Sequence, residues 1–125
     1  MRPDWDAYYL GIARAVSARA SCPRASVGAV IVSPSGGIVS TGYNGSPSGE
    51  PDCYEAGCRM THSSHDDLDH CVRTIHAEMN AILWAARTGA NVSGGTLYVT
   101  RWPCGYCAKH IAQAGIARIV IEGEQ

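Results

Sequence analysis

The sequence of 125 residues contains no Phe, so aromatic packing falls to its 3 Trp and 6 Tyr. It also lacks an excess of either charge: 10 Lys and Arg stand against 11 Asp and Glu, a formal net charge of −1 with a pI near 6.5. Such a balance offers no broad basic surface, which argues against duplex nucleic acid as a partner and favours a small-molecule ligand. Long apolar runs are missing as well. Polar residues interrupt every apolar stretch, and no basic segment followed by an apolar one opens the chain, so neither a membrane span nor a secretory signal is expected. A cytoplasmic setting follows as the expectation. Internal repeats and low-complexity segments are absent, and the length fits one domain, residues 1–125, with room for a substantial core.

Six cysteines are present: Cys22, Cys53, Cys58, Cys71, Cys104 and Cys107. Without an export signal, metal ligation is the expected use of this even number, rather than disulfides. Two short segments carry the chemistry. One is Thr74-Ile75-His76-Ala77-Glu78, the other Pro103-Cys104-Gly105-Tyr106-Cys107. A catalytic zinc takes three protein ligands and keeps one position for water, and His76 with the thiolates of Cys104 and Cys107 supplies three. Zinc lowers the pKa of a bound water to about 7, and Glu78 then serves as the proton shuttle. C-x-x-C alone also suits a redox dithiol or half of a structural zinc ribbon, and H-x-E alone says little. Together and in this order they are the signature of a hydrolytic zinc deaminase.

Hydrophobic periodicity places these segments. Trp5, Tyr8 or Tyr9, Ile12 and Val16 recur at helical spacing, and Cys22-Pro23 ends that helix. The runs 27–32 and 38–43 flank the turn-rich 33–37 and predict a β-hairpin. From Asn44 to about Val72 apolar periodicity disappears while Gly, Pro, Asp, His and Cys accumulate, a long loop whose length calls for a metal or a function. The pattern predicts a helix over 76–87, closed by Thr88-Gly89, then a strand over 96–100, a helix over 104–114 and a last strand over 119–121. Helices alternating with strands give an α/β layered domain. Cysteines at a helix start face the positive end of its dipole and ionise readily.

Beyond the zinc segments, the stretches Cys22-Pro23-Arg24, Val27-Gly28-Ala29, Gly42-Tyr43-Asn44-Gly45, Cys71 to Ile82 and Gln113-Ala114-Gly115-Ile116 resemble the deoxycytidylate deaminase family of the cytidine-deaminase-like superfamily. The likeness is greatest to the bacterial branch that includes the competence-operon deaminases. The resemblance implies a three-layer α-β-α sandwich with a central mixed sheet, hydrolysis of dCMP to dUMP and ammonia, and a homo-oligomer. It implies that Asn44 hydrogen-bonds sugar or base, that the backbone amide of Ala77 reads the pyrimidine carbonyl, and that Arg24 holds the 5′-phosphate, a task suited to a guanidinium. Trp102 or Tyr106 is expected to stack on the base.

Some members of that family carry a second, structural zinc. The soft ligands of the loop make one expected here, with Cys22, Cys53 and Cys71 and a fourth ligand from His70 or Cys58. The resemblance further implies a continuation past the last strand, whereas the sequence stops at Gly123-Glu124-Gln125; a shorter pocket wall would relax the choice of substrate. Other aminated nucleosides, nucleobases or modified pyrimidine nucleotides stay open as substrates. The alternative outside enzymology is a zinc-stabilised binding module in which Glu78 has no task.

Overall fold

The computed structural model describes residues 1–63 and 68–123; within these, only the backbone is described for residues 63 and 68–70. The elements run α1 (Trp5–Ser17), β1 (Gly28–Val32), β2 (Ile38–Tyr43), α2 (Cys53–Ala56), β3 (Met60–Ser63), β4 (Leu68–Cys71), α3 (Ala77–Thr88), β5 (Thr96–Val99), α4 (Gly105–Gln113) and β6 (Arg118–Ile121). Asp4 caps α1 by accepting from the amide of Ala7 at 2.8 Å, which satisfies one of the donors a helix start leaves over.

Four strands form one mixed sheet in the order β2-β1-β5-β6, with β1 antiparallel to both neighbours and β5 parallel to β6. The period-2 alternation of strand side chains divides the core in two. Ala29, Ile31, Leu97 and Val99 point to one face and bury against Ala77, Ala81, Cys107 and Ile111 of α3 and α4. Val30, Val32 and Tyr98 point to the other, against Tyr9 and Ala13 of α1. This is the expected α-β-α sandwich, and β1, buried at every position, lies at its centre.

Two glycines permit the close layering. A Cβ on Gly28 would lie 2.0 Å from the Ala13 carbonyl oxygen, and one on Gly42 would lie 2.4 Å from the carbonyl oxygen of Ala77 and the amide nitrogen of Ala81. Only a residue without a side chain lets α1 and α3 approach the sheet this far.

Two expectations are corrected. The first helix buries Tyr9 and Ala13, while Trp5 remains 69% exposed and Tyr8 is exposed too, so only part of the aromatic stripe faces the core. The stretch after Asn44 is not loop throughout. It holds the single-turn α2, closed by a capping box between Asp52 and Glu55, and an antiparallel ribbon of β3 and β4 that pairs Met60 with Cys71 and Thr61 with His70. The ribbon stands outside the main sheet as a separate two-stranded pair, and its sequence shows no clear apolar alternation. No helix among the described residues is long and apolar enough to cross a membrane.

Candidate metal centre and active site

The N-terminal ends of α3 and α4 meet at the site. Their N-cap residues are His76 and Cys104, and neither side chain makes a capping hydrogen bond, unlike that of Asp4. They stand at a place where two helix dipoles present their positive ends. The segment before α3 is fixed by reciprocal backbone bonds between Gly45 and Ile75, at 3.1 and 2.8 Å. Asn80 adds a bond from Nδ2 to the Tyr43 carbonyl at 2.8 Å, and Ser40 donates to the Ala81 carbonyl at 2.7 Å. The helix that carries His76 and Glu78 is thus pinned to β2.

His76 Nδ1 lies 3.2 Å from Cys107 Sγ and 3.6 Å from Cys104 Sγ. Tetrahedral zinc with ordinary Zn–N and Zn–S bonds sets such ligand atoms about 3.6 Å apart. The donor set therefore fits zinc. Burial first, then the charges of Glu78 and Cys104, push the Cys107 thiol above its usual range; a cation among these groups reverses that sign. Glu78, two residues past His76, is only 4% exposed. Burial raises its pKa, opposed by its own backbone amide and by the charge of Arg101, so this carboxyl holds a proton more readily than an exposed one.

A cavity of about 520 Å³ opens on His76, Cys104 and Cys107 and is also lined by Thr61, His62, Cys71, Val72, Thr74, Met79, Tyr106 and His110. Ala77, buried on the first turn of α3, offers one of the backbone amides that a helix start leaves unpaired. Asn44 is buried, and its amide is engaged at both ends: Oδ1 accepts from the Val27 amide and Nδ2 donates to the Ala25 carbonyl, each at 2.8 Å. One lone pair and one hydrogen of that amide remain for a ligand. Arg24 is exposed in the α1–β1 link and does not line the cavity. Tyr106 lines it, half exposed, with Lys109 Nζ 4.8 Å from its ring centroid; Trp102 is equally exposed and lies off the wall.

A second group forms from the other four cysteines. The sulfurs of Cys22, Cys53, Cys58 and Cys71 all lie within 4.8 Å of one another. Cys22 to Cys58 is 3.9 Å and Cys53 to Cys71 is 3.6 Å, against about 3.8 Å for two thiolates on one tetrahedral zinc. All six cysteines are free. Burial tends to raise the Cys71 thiol, but the amides of Arg59 and Arg73, with help from Cys53 and Thr74, bring it down to about 7. Burial and the neighbouring thiols push Cys53 the other way. Cys58 supplies the fourth sulfur of the group, while the side chain of His70, the other expected fourth ligand, lies outside the described residues. Thr61, Met79 and His110 line the cavity without having been expected at the site. For His110 a signal was there, since it stands three residues past Cys107 on one helix face.

Comparison with known proteins agrees with this geometry. The model of the cytidine and deoxycytidylate deaminase zinc-binding region matches residues 3–122. The chain belongs to that family. The deoxycytidylate deaminase of mycobacteriophage D29 is 43% identical over 129 residues, covering 98% of each chain. ComE operon protein 2 of Bacillus subtilis is 43% identical over 118 residues, which are 94% of this chain but 59% of that longer protein. Among solved structures, the dCMP deaminase of cyanophage S-TIM5 in complex with dCMP and dUMP superposes with a TM-score of 0.77 at 31% identity, over 97% of this chain and 82% of that one. Zinc is accordingly the metal of this deaminase family member, and the mixed sheet between helices is its family fold.

Proposed function

We propose that the chain hydrolyses dCMP to dUMP and ammonia. The observation that carries this reading is the buried carboxyl of Glu78, two residues past one zinc ligand and close enough to another, Cys107, to raise its pKa. The deoxycytidylate deaminases of phage D29 and cyanophage S-TIM5, matched over nearly the whole chain, support dCMP as the substrate. Zinc held by His76 Nδ1, Cys104 and Cys107 supplies a Lewis acid that makes water nucleophilic near neutral pH. Everything else falls to the protein. Glu78 takes a proton from the attacking water and passes it to ring N3 as oxygen joins C4. It then carries the second proton to the C4 amino group, which leaves as ammonia while C4 becomes a carbonyl. The Ala77 amide and the spare valences of Asn44 hold the base and sugar, and Tyr106 or Trp102 covers the ring.

The four-sulfur group of Cys22, Cys53, Cys58 and Cys71 is assigned to a second, structural zinc, which ties the end of α1 to α2 and the β3–β4 ribbon. Thiolate ligation suits a reducing compartment, and a cytoplasmic enzyme fits that chemistry. Exposed Leu83 and Trp84 on α3 and Ile38 on the edge strand β2 favour a homo-oligomer.

The substrate test is ammonia release from dCMP, CMP, deoxycytidine, cytosine and guanine, offered side by side to zinc-loaded protein. Preference for dCMP is expected. Turnover of a different amine alone would keep the mechanism and overturn the substrate.

A further inference from the structure

Asn80 stands in the first turn of α3, half-buried, two residues past Glu78. Asn is a poor helix former because its amide competes for nearby backbone groups. In this helix the competition fixes a junction. Asn80 Nδ2 lies 2.8 Å from the Tyr43 carbonyl and 3.4 Å from the Ile75 carbonyl. A carbonyl only accepts, so the nitrogen end of the amide faces both and directs one hydrogen to each, the shorter bond being the stronger.

The Tyr43 carbonyl belongs to the peptide that leads into Asn44, and the Ile75 carbonyl to the peptide that leads into His76. The Ile75 carbonyl also accepts from the Gly45 amide at 3.1 Å, which closes a ring from Tyr43 through Asn80 and Ile75 to Gly45. Asn44 is the residue that this ring encloses. Its own amide bonds run the other way, to Val27 and Ala25, and its backbone N–H donates to the Val27 carbonyl at 3.3 Å. The ring therefore relates Asn44 to the start of α3. Ser40 holds α3 to β2 as well, through the Ala81 carbonyl, but four residues before Asn44 and outside the ring.

We propose that Asn80 is a positioning residue that acts through Asn44: by bridging the Tyr43 and Ile75 carbonyls it sets Asn44 in register with His76 and Glu78. The assignment rests on the deaminase reading above, in which the spare valences of Asn44 hold base and sugar. Without the bridge, β2 and α3 still pack, since Gly42 lets the Ala77 carbonyl approach and Ser40 keeps its bond. What is lost is the register of the group that holds the substrate against the groups that react with it, a loss of orientation rather than of fold.

The test compares zinc-loaded wild type with Asn80→Leu, which keeps the shape but has no hydrogens to donate, with Asn80→Ala, and with Ser40→Ala, which loosens α3 outside the ring. Steady-state kinetics on dCMP and calorimetric titration of dUMP are read well below every melting temperature, at matched zinc content and with circular dichroism showing each variant folded. Both Asn80 variants are expected to raise KM for dCMP and weaken dUMP about tenfold, the scale of one hydrogen bond, with kcat changed far less. Ser40→Ala should lower the melting temperature and leave both constants near those of wild type. In an Asn44→Ala background, Asn80→Leu should add little further loss, as expected of two residues that act as one unit. Equal effects of the Asn80 and Ser40 variants on KM, or full additivity with Asn44→Ala, would overturn the assignment. Absence of ammonia from dCMP with wild type would defeat the deaminase reading instead. Amide hydrogen exchange then decides the positioning alone: faster exchange at Asn44 and Gly45 in Asn80→Leu than in Ser40→Ala supports it, and equal exchange rejects it.

Discussion

Glu78 sits at 4% exposure on a helix whose buried neighbours are alanines, a place where a carboxylate without a task would be a net cost. That His76, Cys104 and Cys107 come together beside Glu78 was legible in the sequence, because spacing alone puts these residues at or near the starts of two helices; the proposed roles rest on that grouping. Exchange of Cys104 for Ser is expected to remove one zinc per chain, measured by atomic absorption, and leave the four-sulfur site filled. A second residue-scale expectation concerns Asp6, which accepts from Tyr98 Oη at 2.7 Å and pairs with Arg118 through both oxygens. Arg118 first, then Tyr98, holds this carboxyl below its ordinary value of 3.8. The resulting stability is complete above that value and fades as pH falls through the lower folded one. Tyr98→Phe should therefore cost about 1 kcal/mol in urea unfolding at pH 7, with the gap narrowing below pH 3.8. Nothing in local sequence pairs Asp6 with Arg118, which come together only because α1 crosses the sheet near β6.

Among the elements, α1 and α3 approach the sheet through Gly28 and Gly42. Gly28→Ala would drive a methyl into the Ala13 carbonyl, and Gly42→Ala into the backbone of α3. Each is expected to lower unfolding free energy by about 2 kcal/mol or more, read as a lower urea midpoint, and Gly42→Ala should also reduce turnover because α3 carries His76 and Glu78. The main strands and the two helices of the site were legible from period and punctuation, within a residue or two at their ends. The β3–β4 ribbon was not. Its residues Met60-Thr61-His62-Ser63 and Leu68-Asp69-His70-Cys71 carry no apolar stripe, and the length of the stretch with its surplus of cysteines and histidines was the sequence sign that something other than a core holds this region.

The whole molecule is expected to bind two zinc ions per chain, and Cys58→Ser should reduce the count to one and lower the melting temperature by several degrees. One zinc in wild type, with Cys58→Ser melting unchanged, would remove the structural site. Light scattering coupled to size exclusion should report an oligomer; a fully active monomer would exclude that assembly as a requirement. The layered fold was legible because helical and strand periods alternate along the chain, whereas the cavity was not, since its wall joins α4 to a ribbon that sequence pattern leaves blank. The central claim is that Glu78 and the zinc held by His76, Cys104 and Cys107 deaminate a nucleotide. Its most direct test is ammonia release from dCMP by wild type and Glu78→Gln at equal zinc content. Release by wild type and a loss of about a hundredfold to ten-thousandfold in the variant are expected. Equal rates in the two proteins would contradict the claim.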